Sequence, residues 1–165
     1  MKQSYGERVV TLKPNEVFIF GSNEHGFHGA GAAGFASFGR TGNVWREEGY
    51  GDKPYGWRGK WNVKGIAEGL QEGTDGKSYA LPTVVQAGQK CSLTKLQIII
   101  NIKRMYKVAQ DHSELTFLVA GSDDGKIPLN GYSHKDMVLM YSAAGPIPTN
   151  VLFSDSYTKM IGEFP

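Results

Sequence analysis

Cysteine is almost missing from this chain: Cys91 is the single one in 165 residues. No disulfide can form within a monomer, so packing has to hold the fold, and a reducing cytoplasm is the expected setting. Long apolar runs are missing as well. None approaches the ~18 residues of a membrane span, and residues 1–6 carry no apolar segment of the kind a secretory leader needs. No membrane partner is therefore expected. Charge of one sign is scarce, with 18 Lys and Arg against 16 Asp and Glu and a net of +2. That balance gives no whole-chain attraction for nucleic acid or anionic lipid. Internal repeats and low-complexity segments are absent, so residues 1–165 read as a single domain, long enough to bury a core.

Glycine is what the chain has in excess, 22 residues in all, against ~7% in an average protein. In a non-repetitive sequence this implies turns with positive φ or close approaches of backbone to a ligand. The richest stretch is 18–34, Phe-Ile-Phe-Gly-Ser-Asn-Glu-His-Gly-Phe-His-Gly-Ala-Gly-Ala-Ala-Gly. It reads as a short strand, a glycine turn and a small-residue segment able to start a helix. That order presents backbone N–H groups to a phosphate.

Strands are predicted at 9–12, 16–20, 77–83 (ending at Pro82), 115–120 and 150–153. Helices are predicted at 30–38, at about 93–111 with Ser92 as N-cap, and at 134–144. The inward face of the 93–111 helix is expected to hold Leu96, Ile99, Ile100, Lys103 and Tyr106 to Val108. In the 134–144 helix, Met137, Val138, Met140 and Tyr141 are expected inside. Residues 63–72 fit a short helix by Val63, Ile66 and Leu70, against Gly65 and Gly69. Alternating strands and helices predict an α/β fold with a mixed, mostly parallel sheet. Ligands on such folds bind outside the carboxyl ends of the strands. Two glycine loops, 21–34 and 121–131, follow apolar strands and are expected on that edge.

Phe20-Gly21-Ser22-Asn23, Gly26-x-His28-Gly29-x-Gly31-Ala32-Ala33 and Ser78-Tyr79-Ala80-Leu81-Pro82-Thr83 resemble a bacterial and phage group related to the macro domain. The likeness is strong over 17–38 and 69–83 and loose elsewhere. It implies a three-layer α/β/α module that binds ADP-ribose and, in its enzymatic members, hydrolyses ADP-ribosyl linkages. By the resemblance Asn23 contacts the distal ribose, Gly29 to Ala33 wrap the diphosphate, and the 121–131 loop closes over the phosphates. The ligand-binding set is then Gly21, Ser22, Asn23, His28, Gly29, Ala30, Gly31, Ala32, Gly121, Ser122 and Gly125. An ADP-ribosylated macromolecule is the implied larger partner, and no cofactor is implied. Two positions depart from the pattern. Ala32-Ala33-Gly34 stands where many hydrolytic members carry an acid, and Asp123 and Asp124 stand in the phosphate loop.

The catalytic candidates are Asn23, Asp123 and Asp124. An Asn amide both donates and accepts, so Asn23 can orient a ribose hydroxyl or a water, or close the turn on its own backbone. Asp123 or Asp124 can act as a base at an anomeric carbon, or serve as a solvated turn. Beside a diphosphate the pair must face a metal or point away. His25 and His28 are spaced for one helical turn, with only Glu24 near to complete a metal set, so no metal is expected. Contact with phosphate or ribose, or turn bonding, are the other roles. Cys91 near a helix start has no identifiable catalytic partner and reads as a buried or idle thiol. Residues 45–61 interleave Trp45, Tyr50, Tyr55, Trp57 and Trp61 with Arg46, Lys53, Arg58 and Lys60, inside a long irregular region at 39–62. They admit a lid on an adenine, a groove for single-stranded nucleic acid, or a packed structural insertion.

Overall fold

The computed structural model describes residues 3–7, 9, 12–25, 67–72, 76–86 and 88–163. In chain order these hold β1 (Glu16–Asn23), β2 (Gly69–Glu72), β3 (Lys77–Val84), α1 (Lys95–Asp111), β4 (Thr116–Val119), α2 (His134–Ala143), β5 (Val151–Leu152) and α3 (Asp155–Gly162). The sheet order is β2-β3-β1-β4-β5. All pairings are parallel except the β2–β3 edge, so the expected α/β fold with a mixed, mostly parallel sheet is the observed one.

β1 is the middle strand, and its sequence explains why. Val17, Phe18, Ile19 and Phe20 are all buried, as a strand covered on both faces requires. Side chains alternate across the sheet. Val17 and Ile19 join Tyr79, Leu81, Phe117, Val119, Val151 and Phe153 in the main core. Phe18 and Phe20 join Ala80 in a smaller cluster on the other face, packed by Val9, Leu12 and Ala120. The described helices supply Ile98, Ile102 and Met105, Val138 and Met140, and Tyr157 to the main core.

Several boundaries differ from those predicted. The strand does not stop at Phe20: Gly21, Ser22 and Asn23 continue it against Leu81, Pro82 and Val84, with a register shift between Ser22 and Asn23. Gly21 is therefore a strand glycine, where an added Cβ would lie 3.3 Å from the Thr83 hydroxyl. Such a glycine marks close approach rather than a turn. β3 runs through Pro82 to Val84. β2 pairs only Lys77 to Ala80, so the missing Pro82 N–H removes no bond of that ladder. Residues 69–72 are a strand, not a helix. Of the predicted 9–12 strand, Val9 and Leu12 lie outside any strand and residues 10–11 lie outside the described residues; Ser4 bridges Phe153. The 30–38 helix, and the helical layer it would form, lie outside the described residues.

α1 starts two residues later than predicted. Thr94 Oγ1 accepts from Gln97 N at 3.1 Å and Gln97 Oε1 accepts from Thr94 N at 2.7 Å. This reciprocal capping box fixes the helix start. Ser92 has other work: its Oγ accepts from Val85 N at 2.9 Å and donates to Gln89 O at 3.1 Å, folding the loop after β3. The later start fits a buried face of Ile98, Asn101, Ile102, Met105, Tyr106 and Ala109. Leu96 (65 %) and Ile100 (44 %) are exposed, contrary to the expected inward face. Asn101 Nδ2 donates to Pro82 O at 3.0 Å, and Arg104 pairs with Glu68 at 3.0 Å, joining α1 to β3 and to the approach of β2. α2 buries the four expected residues behind an N-cap at Ser133. α3 was not predicted. Ser154 caps it, with Oγ accepting from Tyr157 N at 3.3 Å, and Tyr157 is its buried residue.

Candidate functional site

Because β1, β3, β4 and β5 are parallel, Asn23, Val84, Val119 and Leu152 end on one edge of the sheet. The chain leaves β1 toward β3 on one side, then crosses to β4 on the other and continues outward to β5. The strand order thus reverses between β1 and β4. In open α/β sheets a crevice forms at such a point, because the loops on either side diverge. Here the loop after β1 starts at Asn23 and the loop after β4 starts at Ala120, whose N–H still donates to Ile19 O at 2.8 Å.

Asn23 is buried at the last position of β1. Its Oδ1 accepts from His25 N at 3.1 Å, a turn closed by its own side chain. Glu24 N donates to Val84 O and Val85 O, at 3.2 and 3.0 Å, so the chain stays beside β3 as it leaves the sheet. Ser22 Oγ donates to Asn23 O at 3.3 Å. Gly21, Ser22 and Asn23 are therefore placed together at the strand end. His28, Gly29, Ala30, Gly31 and Ala32 lie outside the described residues, as do the 39–62 region and its aromatic and basic side chains.

The loop after β4 is held from three sides. Gly121 has φ +126°, and a Cβ there would meet Tyr157 OH at 2.9 Å and its ring carbons at 3.0 Å. Gly121 O accepts from Ser154 Oγ at 2.7 Å. Asp123 N donates to Ser156 Oγ at 2.9 Å, and that hydroxyl donates to Glu7 Oε1 at 3.1 Å. Asp123 Oδ1 accepts from Gly125 N at 3.2 Å and Asp124 Oδ1 from Lys126 N at 2.9 Å, two consecutive side-chain-closed turns. Gly125, at φ +76° with nothing near a would-be Cβ, supplies the reversal between them.

Asp124 Oδ1 also accepts from His134 Nε2 at 3.1 Å, and His134 Nδ1 accepts from Tyr157 OH at 2.7 Å. In the neutral ring one tautomer satisfies both: the Nε2–H donates to the carboxylate and the bare Nδ1 takes the phenol proton. The Lys126 N–H and the His134 contact hold the Asp124 carboxyl below the usual carboxylate range. A carboxylate so stabilised is a weaker proton acceptor. Burial, and then the nearby Tyr5, Asp124 and Asp123, push the Tyr157 phenol well up, so it remains a donor. Within 121–126, Ser122 is the one residue without a hydrogen bond among the described residues.

Sequence reasoning missed His134, Tyr157, Ser154 and Ser156 because they lie 10 to 36 residues from their loop partners. A signal existed for α3: Ser154-Asp155 is a cap with an acid in the first turn, followed by apolar Tyr157, Met160 and Ile161 at helical spacing. Cys91 is exposed rather than buried, at φ 52°, with its N–H on Asn130 O at 2.6 Å. It joins the loop after β3 to the loop after β4, where a Cβ on Gly131 would meet its Sγ at 3.0 Å. Among the described residues no three His, Cys, Asp or Glu side chains converge as a metal set, and no helix is long and apolar enough to cross a membrane. No protein-family model, curated protein or solved structure matches this chain.

Proposed function

We propose that this protein binds ADP-ribose, or a related nucleotide-diphosphate-sugar, in the crevice between the carboxyl ends of β1 and β4. The observation that carries the reading is the reversal of strand order at that point, where β1 ends at Asn23 and the chain leaving β4 runs through Ala120 into Gly121-Ser122. Asn23 addresses the distal ribose, as the sequence resemblance implies. Gly29 to Ala32 and the Gly121, Ser122 and Gly125 backbone contribute the diphosphate contacts, with His28 beside them. The cytoplasm, where the lone thiol stays reduced, is the proposed setting. An ADP-ribosylated macromolecule is the larger partner of the same site.

The enzymatic form of the proposal is hydrolysis of an ADP-ribosyl linkage by water at the anomeric carbon. Asn23 would orient that water, with Asp123, Asp124 or a substrate phosphate assisting. The second form is sequestration of a nucleotide signal without turnover. A specific observation favours it: both Asp Oδ1 atoms are occupied by the loop's own N–H groups, and Asp124 is less basic than a free carboxylate. Nucleic-acid binding through 45–61 concerns residues outside those described.

Calorimetry of the native chain with ADP-ribose tests the binding reading, and no heat of binding at millimolar ligand would sink it. Asn23→Ala should weaken binding at least tenfold. Unaltered affinity in that variant would move the site elsewhere. Chromatography of ADP-ribosylated peptide after long incubation separates the two forms, since free ADP-ribose accumulates only with a hydrolase.

A further inference from the structure

The loop after β4 is gripped by a closed circuit of contacts. Tyr157, from α3, lies against the Cα of Gly121 so closely that no side chain fits there. Its hydroxyl donates to His134 at the first position of α2. The other nitrogen of His134 donates to Asp124, three residues beyond Gly121. The two rings meet edge-on, 5.7 Å between centroids and 65° between planes. Ser122 lies inside this span, in the segment whose other members are all bonded. We propose that His134 and Tyr157 are positioning residues for the ligand-binding loop, holding Gly121 to Asp124 in the conformation that presents Ser122 to the crevice. Asp124 then serves as the loop's anchor to His134, and not as a base.

The physical case is one of pre-organisation. A loop that must be ordered on binding loses part of its contact energy to that ordering. Two helices that already share a core, α2 and α3, can hold it beforehand through side chains with few rotatable bonds. A phenol against a glycine Cα adds a steric stop, and a histidine flanked by two partners adds a directional one. Neither residue has to touch the ligand.

This inference rests on the ADP-ribose reading, so its test needs a readout that survives failure of that reading. Two variants suit: Tyr157→Phe, which deletes the hydroxyl and keeps the ring, and His134→Phe, which keeps the edge-on packing and deletes both bonds. The first readout is ADP-ribose affinity by calorimetry, with the folded fraction measured by denaturation in the same buffer. Positioning predicts affinity at least fivefold weaker in His134→Phe while the chain stays fully folded. Affinity of the folded fraction within twofold of the parent overturns it. The second readout needs no ligand: backbone 15N relaxation at Gly121, Ser122 and Asp123 in the parent and in both variants. Lower order parameters confined to that segment support the proposal. Unchanged order parameters refute it even if ADP-ribose binds. Absence of ADP-ribose binding in the parent, with order parameters that do respond, overturns the ligand reading and leaves the positioning role standing.

Discussion

Gly121→Ala tests the grip on the loop most directly. The new methyl group would begin 2.9 Å from the Tyr157 hydroxyl oxygen and 3.0 Å from two of its ring carbons. The ring cannot simply swing away, because Tyr157 is buried and its hydroxyl is held 2.7 Å from His134 Nδ1. Two costs add. A residue with a Cβ at φ +126° is strained by about 1–3 kcal/mol, and forcing an extra methyl into a packed site costs about 1–3 kcal/mol more. The expected destabilisation is about 3–4 kcal/mol, which at this chain length lowers Tm by roughly 6–16 °C. Gly125→Ala in the same loop is the control. Its φ of +76° carries the strain, but nothing lies within 4 Å of the added atom, so about 1–2 kcal/mol is expected. Urea denaturation of both variants measures the difference. Equal losses would show that Tyr157 does not press on Gly121, and the account of the clamped loop would fall with it.

The two faces of α1 should separate cleanly. Ile98→Ala, at a fully buried position, should cost about 2–5 kcal/mol, while Leu96→Ala on the exposed side should stay within about 0.5 kcal/mol. Comparable losses in denaturation midpoints would reverse the face assignment. Thr94→Ala removes half of the capping box and should cost about 1 kcal/mol. Ser92→Ala, outside the cap, should leave α1 hydrogen-exchange protection intact, and an equal loss of protection in both would contradict the observed helix start. Burial pushes the Tyr79 phenol up to about 12 and raises Tyr5, Tyr106, Tyr141 and Tyr157 in the same direction. The folded chain keeps these protons that the unfolded chain releases near pH 10. Their contribution is therefore complete below pH 10 and is lost as pH rises through the folded values, about 12 for Tyr79 and higher for the other four, by up to about 1.4 kcal/mol per pH unit for each phenol. Buried-phenolate absorbance should appear together with loss of far-UV circular dichroism. Ionisation with the dichroism intact would mean that these rings are not buried.

The middle of the sheet was legible in the sequence because its rule is local. A run such as Val17 to Phe20 needs cover on both faces, which only a central strand provides, and the alternation of apolar strands with capped helices fixes the α/β class. The cap of α1 is local as well: the three-residue spacing of Thr94 and Gln97 is the whole signal, and the lone Ser92 lacks it. The end of β1 was not. Glycine, serine and asparagine carry turn propensity, and only pairing with Leu81, Pro82 and Val84 keeps them extended. The loop after β4 divides the same way. Its turns at Asp123, Asp124 and Gly125 follow from residues one or two apart. Its fixed placement depends on Glu7, His134, Ser154, Ser156 and Tyr157, which reach it only after α2 and α3 have packed. Sequence alone determined the α/β class, the buried run of β1 and the local turns at Asp123 and Asp124. The tertiary structure decided that Asp124 would meet His134, because a bond between a loop and a helix from another part of the chain leaves no periodic trace in either segment.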